Sequence, residues 1–156
     1  MPGLEDLYRE IILDHYRTPR NRGELAPPAV RAEGHNPLCG DEIQVYLDVA
    51  DGKVNDIKVA GQGCSISQSS ASMMSQAVKG KDLAEVRALV RRFKGMMSVD
   101  DLSGDGDSDD LAADEAVKLG DLEALQGVVK FPVRIKCATL AWNTLLQAMS
   151  ELPAST

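Results

Sequence analysis

Apolar residues change their spacing repeatedly along this chain, and each change predicts an element. Leu4, Leu7, Ile11 and Ile12 recur at helical spacing, which predicts an amphipathic helix over 3–16. The helix stops at Thr18-Pro19, because a residue before proline is driven out of the α region. An Arg- and Pro-rich connector follows over 17–28. Ile43, Val45, Leu47 and Val49 then alternate with Glu42, Gln44, Tyr46 and Asp48, the pattern of a strand with one buried face. Asp51-Gly52 is a hairpin turn, and 54–60 returns as the antiparallel partner with Ile57 and Val59 inward. Residues 30–33 are expected to add a third, edge strand.

After Gly61-Gln62-Gly63 the period lengthens from strand to helix. A helix is predicted over 65–79, its inward stripe formed by Ile66, Ser70, Met73, Met74 and Ala77. Leu83, Val86, Leu89, Val90 and Phe93 mark another, with Asp82 as N-cap and Glu85 completing a capping-box-like pair. Leu122, Leu125, Val128 and Val129 predict a short helix ending near Pro132. Ile135, Ala138, Trp142, Leu145 and Met149 give the last and longest stripe. The stretch 95–120 is different. It is crowded with Asp, Gly and Ser and reads as an acidic, mobile insertion, since it cannot bury enough apolar surface to offset its ordering entropy. Asp105, Asp107 and Asp109 do not make a calcium loop, because Asp110 and Ala116 stand where that loop needs Gly and Glu. The order of elements predicts a single α+β domain over 1–156, a small antiparallel sheet of about three strands covered on one face by several helices.

Composition narrows the function. Aromatic residues make up only 4% of the 156 residues, so Leu, Val, Ile, Ala and Met must build the core. A net charge of −7 argues against nucleic acid or an anionic membrane as partner. No apolar run approaches the roughly 18 residues that span a bilayer. Residues 1–10 lack a signal segment, which predicts a cytoplasmic protein. Three widely spaced cysteines in that setting favour reduced thiols over a disulfide framework.

Each cysteine stands at the end of an element. Cys39 lies in Asn36-Pro37-Leu38-Cys39-Gly40-Asp41, just before the first hairpin strand. Cys64 follows the returning strand and opens a helix; Cys137 is expected in the first turn of the last helix, behind Pro132. Antiparallel pairing brings Cys39 and Cys64 together. Helix starts favour the thiolate, the nucleophilic and metal-binding form. Gly40, Gly61 and Gly63 supply permissive backbone beside the first two thiols. On spacing alone, buried thiols and metal ligands are equally open. Asp41 tips the balance: two residues from Cys39, it shares a side with it in extended backbone. Three thiolates and a carboxylate complete a tetrahedral zinc shell. His35 reads as a loop residue and His15 as part of a helix end near the connector; neither is expected to bind metal.

The segments Asn36–Asp41, Gly61-Gln-Gly-Cys-Ser-Ile-Ser-Gln-Ser-Ser-Ala-Ser72 and Arg134-Ile-Lys-Cys-Ala-Thr-Leu-Ala-Trp142, with Asp14-His-Tyr-Arg-Thr-Pro-Arg-Asn-Arg-Gly23, resemble the SufU branch of the IscU/NifU iron–sulfur assembly family. The resemblance implies a SufE/IscU-like fold and zinc held by Cys39, Asp41, Cys64 and Cys137. It implies a pyridoxal-phosphate cysteine desulfurase (SufS-like) as partner, with Cys39 freed from zinc to accept persulfide sulfur. Downstream assembly proteins or apo-proteins would receive it. Lys136 stands where the IscU scaffolds resembled here carry His, and Lys130-Phe-Pro-Val-Arg134 replaces their chaperone motif. Both differences favour the sulfur acceptor over the alternative, a scaffold for a [2Fe–2S] cluster built from iron on the same ligands. A structural zinc domain is the third reading. Arg134 and Lys136 are candidate residues just outside the ligands, Arg134 to balance their charge.

Overall fold

The computed structural model describes residues 2–26, 29–37, 40–97 and 120–152. Its elements are helix α1 (Pro2–Arg17), strands β1 (Val30–Asn36), β2 (Asp41–Ala50) and β3 (Lys53–Gln62), helices α2 (Ser65–Val78) and α3 (Leu83–Met96), a 3₁₀ helix (Gly120–Lys130) and helix α4 (Pro132–Ser150). The strands form one antiparallel sheet in the order β1-β2-β3. Asp51 and Gly52 both take positive φ, 56° and 75°, the geometry that matches the twist of a two-residue hairpin. β1 runs further than the predicted 30–33: it pairs with β2 down to Asn36↔Asp41.

One face of the sheet is dry. Ala32, Ile43, Val45, Leu47, Val49, Ile57 and Val59 are all buried there, as the alternation requires. The connector after α1 is not free of the sheet. Val59 N–H donates to the Asn21 carbonyl and Gly23 N–H to the Val59 carbonyl, so the chain covers part of the outer edge of β3.

Helix α2 departs from the stripe predicted for it. Ser67 to Ser75 is buried on every side, while Ile66 and Ala77 are only partly covered. Small serine side chains let α1 and α4 pack closely on it, and their hydroxyls find partners. Ser70 Oγ donates to the Ala138 carbonyl at 2.6 Å and accepts from Trp142 Nε1 at 3.0 Å. Ser72 Oγ accepts from the Arg20 N–H at 2.8 Å and lies 2.7 Å from His15 Nδ1. His15 is thereby fully buried at the end of α1.

The remaining helices follow their stripes more closely. Val86, Leu89, Val90 and Phe93 are buried on α3, and Phe93 stacks on Trp142 of α4 with ring centroids 4.3 Å apart. Asp82 takes the extended N-cap conformation but makes no side-chain cap bond. Its carboxylate turns toward Lys53, 4.0 Å away, instead of its own helix. The 3₁₀ helix explains the spacing of its apolar residues: with three residues per turn, Leu122, Leu125 and Val128 align on one buried face. The first residues of the expected acidic insertion belong to α3 and its buried cap Met97, and 98–119 lie outside the described residues. Among the described residues no helix is long and apolar enough to cross a membrane.

Gly34 sets the distance between sheet and α4. A Cβ there would strike Thr144 Oγ1 and lie 3.1 Å from Leu140 Cδ1. Gly34→Ala is expected to lower stability in urea unfolding by about 1–3 kcal/mol, the usual range for overpacking. Gly95→Ala, which meets nothing within 4 Å near the end of α3, is expected to raise it by about 0.5 kcal/mol through helix propensity.

Candidate metal centre

The centre lies where the dry end of the sheet meets the starts of two helices. Asp41 is the first residue of β2 and is 1% exposed. The register Glu42↔Gln62 brings it beside Gly63, at the exit of β3. A Cβ on Gly63 would collide with the Asp41 carboxylate and would lie 2.7 Å from Ser67 Oγ. Glycine is required there so that the carboxylate can tuck beneath the loop. Asp41 Oδ1 accepts the Cys64 N–H at 2.9 Å, and its other oxygen lies 3.9 Å from Cys64 Sγ.

Cys64 is the N-cap of α2, with φ −69° and ψ 168°. Its sulfur takes the place of the usual capping oxygen and accepts the Ser67 N–H at 3.4 Å. Backbone N–H groups and the positive end of the helix dipole thus face this sulfur. Cys137 sits in the second turn of α4, not the first, because Pro132 already begins the helix. The dipole argument therefore serves Cys64 alone. Cys137 is fully buried, and its sulfur accepts Asn36 Nδ2–H at 3.7 Å.

Donor atoms of Asp41, Cys64 and Cys137 all lie within 4.8 Å of one another. Around a tetrahedral zinc with bonds of about 2.0–2.3 Å such atoms stand roughly 3.3–3.8 Å apart, a modest inward movement of side chains. Two sulfurs and a carboxylate are zinc-type donors, and three of them leave one position of a tetrahedron for a fourth ligand. Two thiolates and a carboxylate around a dication leave one net negative charge. Arg134, exposed on the first turn of α4, answers it. The Cys64 thiolate first, and then a hydrogen bond to Cys137, raise its guanidinium above the ordinary range.

Of the residues singled out in the sequence, the structure brings together Asp41, Cys64, Cys137 and Arg134. Cys39 lies outside the described residues. Lys136 is exposed on α4. His35 is a strand residue, not a loop one; it faces outward on β1, 3.9 Å from Glu42, and is not in the group. Asn36 is a site residue that sequence reasoning missed, because the predicted strand 30–33 stops short of it, whereas the observed β1 carries it on its inward face. Beside the centre, a cleft of about 890 Å³ opens between α1, the start of α2 and the 3₁₀ helix. Arg9 and Arg134 border it along with apolar Ile12, Ile66 and Phe131, and Phe131 is 62% exposed.

Known proteins resemble this chain over most of its length. The family model described as NifU-like N terminal domain matches residues 7–115. The zinc-dependent sulfurtransferase SufU of Bacillus subtilis (strain 168) is 44% identical over 149 residues, covering 96% of this chain and 93% of that protein. The iron-sulfur cluster assembly scaffold protein IscU of Streptococcus pyogenes serotype M1 is 41% identical over 149 residues, covering 95% and 86%. Among solved structures, a putative iron-sulfur cluster assembly scaffold protein for the SUF system from Fervidobacterium islandicum AW-1 is similar with a TM-score of 0.74. It is 29% identical and the match covers 90% of this chain and 94% of that one. The family match ends before Cys137, whereas the alignments to both relatives span it.

Gly63→Ala pushes the Asp41 carboxylate aside while leaving every candidate donor residue in the chain. It is expected to weaken zinc binding at least about tenfold in competition with a chromogenic chelator, the scale on which supports of metal ligands act. Unchanged affinity would show that the carboxylate is not held through Gly63.

Proposed function

This chain belongs to the NifU-like N-terminal domain family, and from that premise we propose that it serves iron–sulfur cluster assembly as a zinc-dependent sulfur acceptor. The observation that carries the reading is the convergence of Asp41, Cys64 and Cys137 within 4.8 Å, with Cys39 two residues before Asp41 in the chain. Cys39 would be the fourth ligand of a bound zinc and the one free to leave it. Bound zinc would supply the positive charge that keeps the thiols ionised. Asp41, Cys64 and Cys137 hold their positions through the sheet and helix contacts described above, so one ligand can depart without the shell collapsing.

The transfer itself balances without an outside oxidant or reductant. The Cys39 thiolate attacks the outer sulfur of a persulfide on a cysteine desulfurase. The partner's sulfur–sulfur bond breaks, and its cysteine leaves as a thiolate. A new sulfur–sulfur bond forms on Cys39, and the persulfide proton travels with the transferred sulfur. The cleft beside the centre and the exposed Phe131 and Val133 support docking of that desulfurase on this face. Thiols at Cys64 and Cys137 that are to hold zinc call for a reducing compartment such as the cytosol. Downstream assembly proteins or apo-proteins would then take the sulfur.

A [2Fe–2S] scaffold on the same donors is the second reading, favoured by the 41% identity to a protein named as such a scaffold. Against it, exposed Lys136 stands beside Cys137 where the resembled scaffolds place an imidazole. Desulfurase turnover separates the two. With a thiol reductant present to release the sulfur, adding the protein is expected to raise sulfide formation from cysteine, and Cys39→Ala to return it to the rate of the desulfurase alone while the protein stays folded. Stimulation by Cys39→Ala equal to wild type would remove the acceptor role.

A further inference from the structure

Asn36 occupies a position that the fold otherwise reserves for small or apolar residues. Inward positions of β1 face α4: Ala32 is 3% exposed, Gly34 lies against Leu140 and Thr144, and Asn36, at 6% exposure, comes next. Across the sheet its backbone pairs with Asp41, and its side chain reaches Cys137 Sγ at 3.7 Å. It therefore adjoins two of the three donor residues. Pro37 follows it and confines Asn36 to extended backbone, which fixes the direction of the side chain. A buried amide at an otherwise apolar position is unfavourable unless its hydrogen bonds are made.

We propose that Asn36 is a positioning residue that holds the Cys137 thiolate as the permanent metal ligand. The proposal rests on the zinc-centre reading above. A thiolate has no proton to give, so the amide must present its N–H₂ group and not its oxygen. The N–H···S bond draws electron density from Cys137 sulfur and fixes its angle toward the other donors. Cys64 has a different support, the Ser67 N–H at the start of α2. Each resident sulfur thus has a backbone or amide donor of its own. Sulfur transfer stays with Cys39, because Cys137 is buried and its charge is already engaged.

The test uses the full chain with cobalt(II) in place of zinc. Asn36→Leu keeps the shape of the side chain and removes its donors; Asn36→Ala removes donors and volume together. In both, the thiolate-to-cobalt charge-transfer band is expected to move to lower energy, because the sulfur lone pairs lose a hydrogen bond. Zinc affinity is expected to fall about 10- to 100-fold, with the far-ultraviolet circular dichroism of the folded protein retained. A purely structural role would lower stability without moving the band. If folded variants show an unmoved band and wild-type zinc affinity, Asn36 does not hold the sulfur. A wild-type protein with no thiolate-to-cobalt band at all would overturn the zinc-centre reading as well.

Discussion

The hydrogen bond from the Cys64 N–H to Asp41 Oδ1 ties the start of β2 to the start of α2, and the centre depends on it. It forms only because Gly63 leaves room for the carboxylate and because the hairpin register delivers β3 to that point. The bond also orients Asp41: one oxygen is engaged by backbone and the other faces Cys64 Sγ. A carboxylate at 1% exposure would be costly to bury alone; here it has a backbone donor and a place among metal donors.

Around that tie, the fold treats the three candidate donors unequally. Cys137 is fully buried on α4 and Asp41 nearly so, whereas Cys64 is partly open at the helix start. Arg134 supplies the nearby positive charge from the solvent side. The three donors come from β2, the start of α2 and α4, and Trp142 joins α4 to α2 through Ser70 and to α3 through Phe93.

Much of this was legible in the sequence, and the reasons are local. Strict alternation from Glu42 to Val49 and the Asp51-Gly52 turn defined the hairpin, and the hairpin placed the residues at its open end together. Three features were not legible. Of the α2 serines only Ser70 was placed on the inward stripe, yet a buried serine can satisfy its hydroxyl on a carbonyl three residues back, as Ser75 does on Ser72. Cys137 was expected a turn too early, although Pro132 as first helical residue was a readable start. Asp82 had the sequence of a cap, and a neighbouring strand lysine took its carboxylate instead, a contact only tertiary structure reveals. Local rules hold where backbone decides; they fail where a distant side chain competes.

The central claim is that three donors keep the metal while Cys39 alone carries sulfur. Its most direct measurement is a single turnover with a cysteine desulfurase and cysteine, followed by peptide mass spectrometry and elemental analysis of the same sample. The account predicts one extra sulfur atom on Cys39, none on Cys64 or Cys137, and zinc still bound. Extra sulfur on Cys64 or Cys137, or transfer accompanied by loss of the metal, would contradict it.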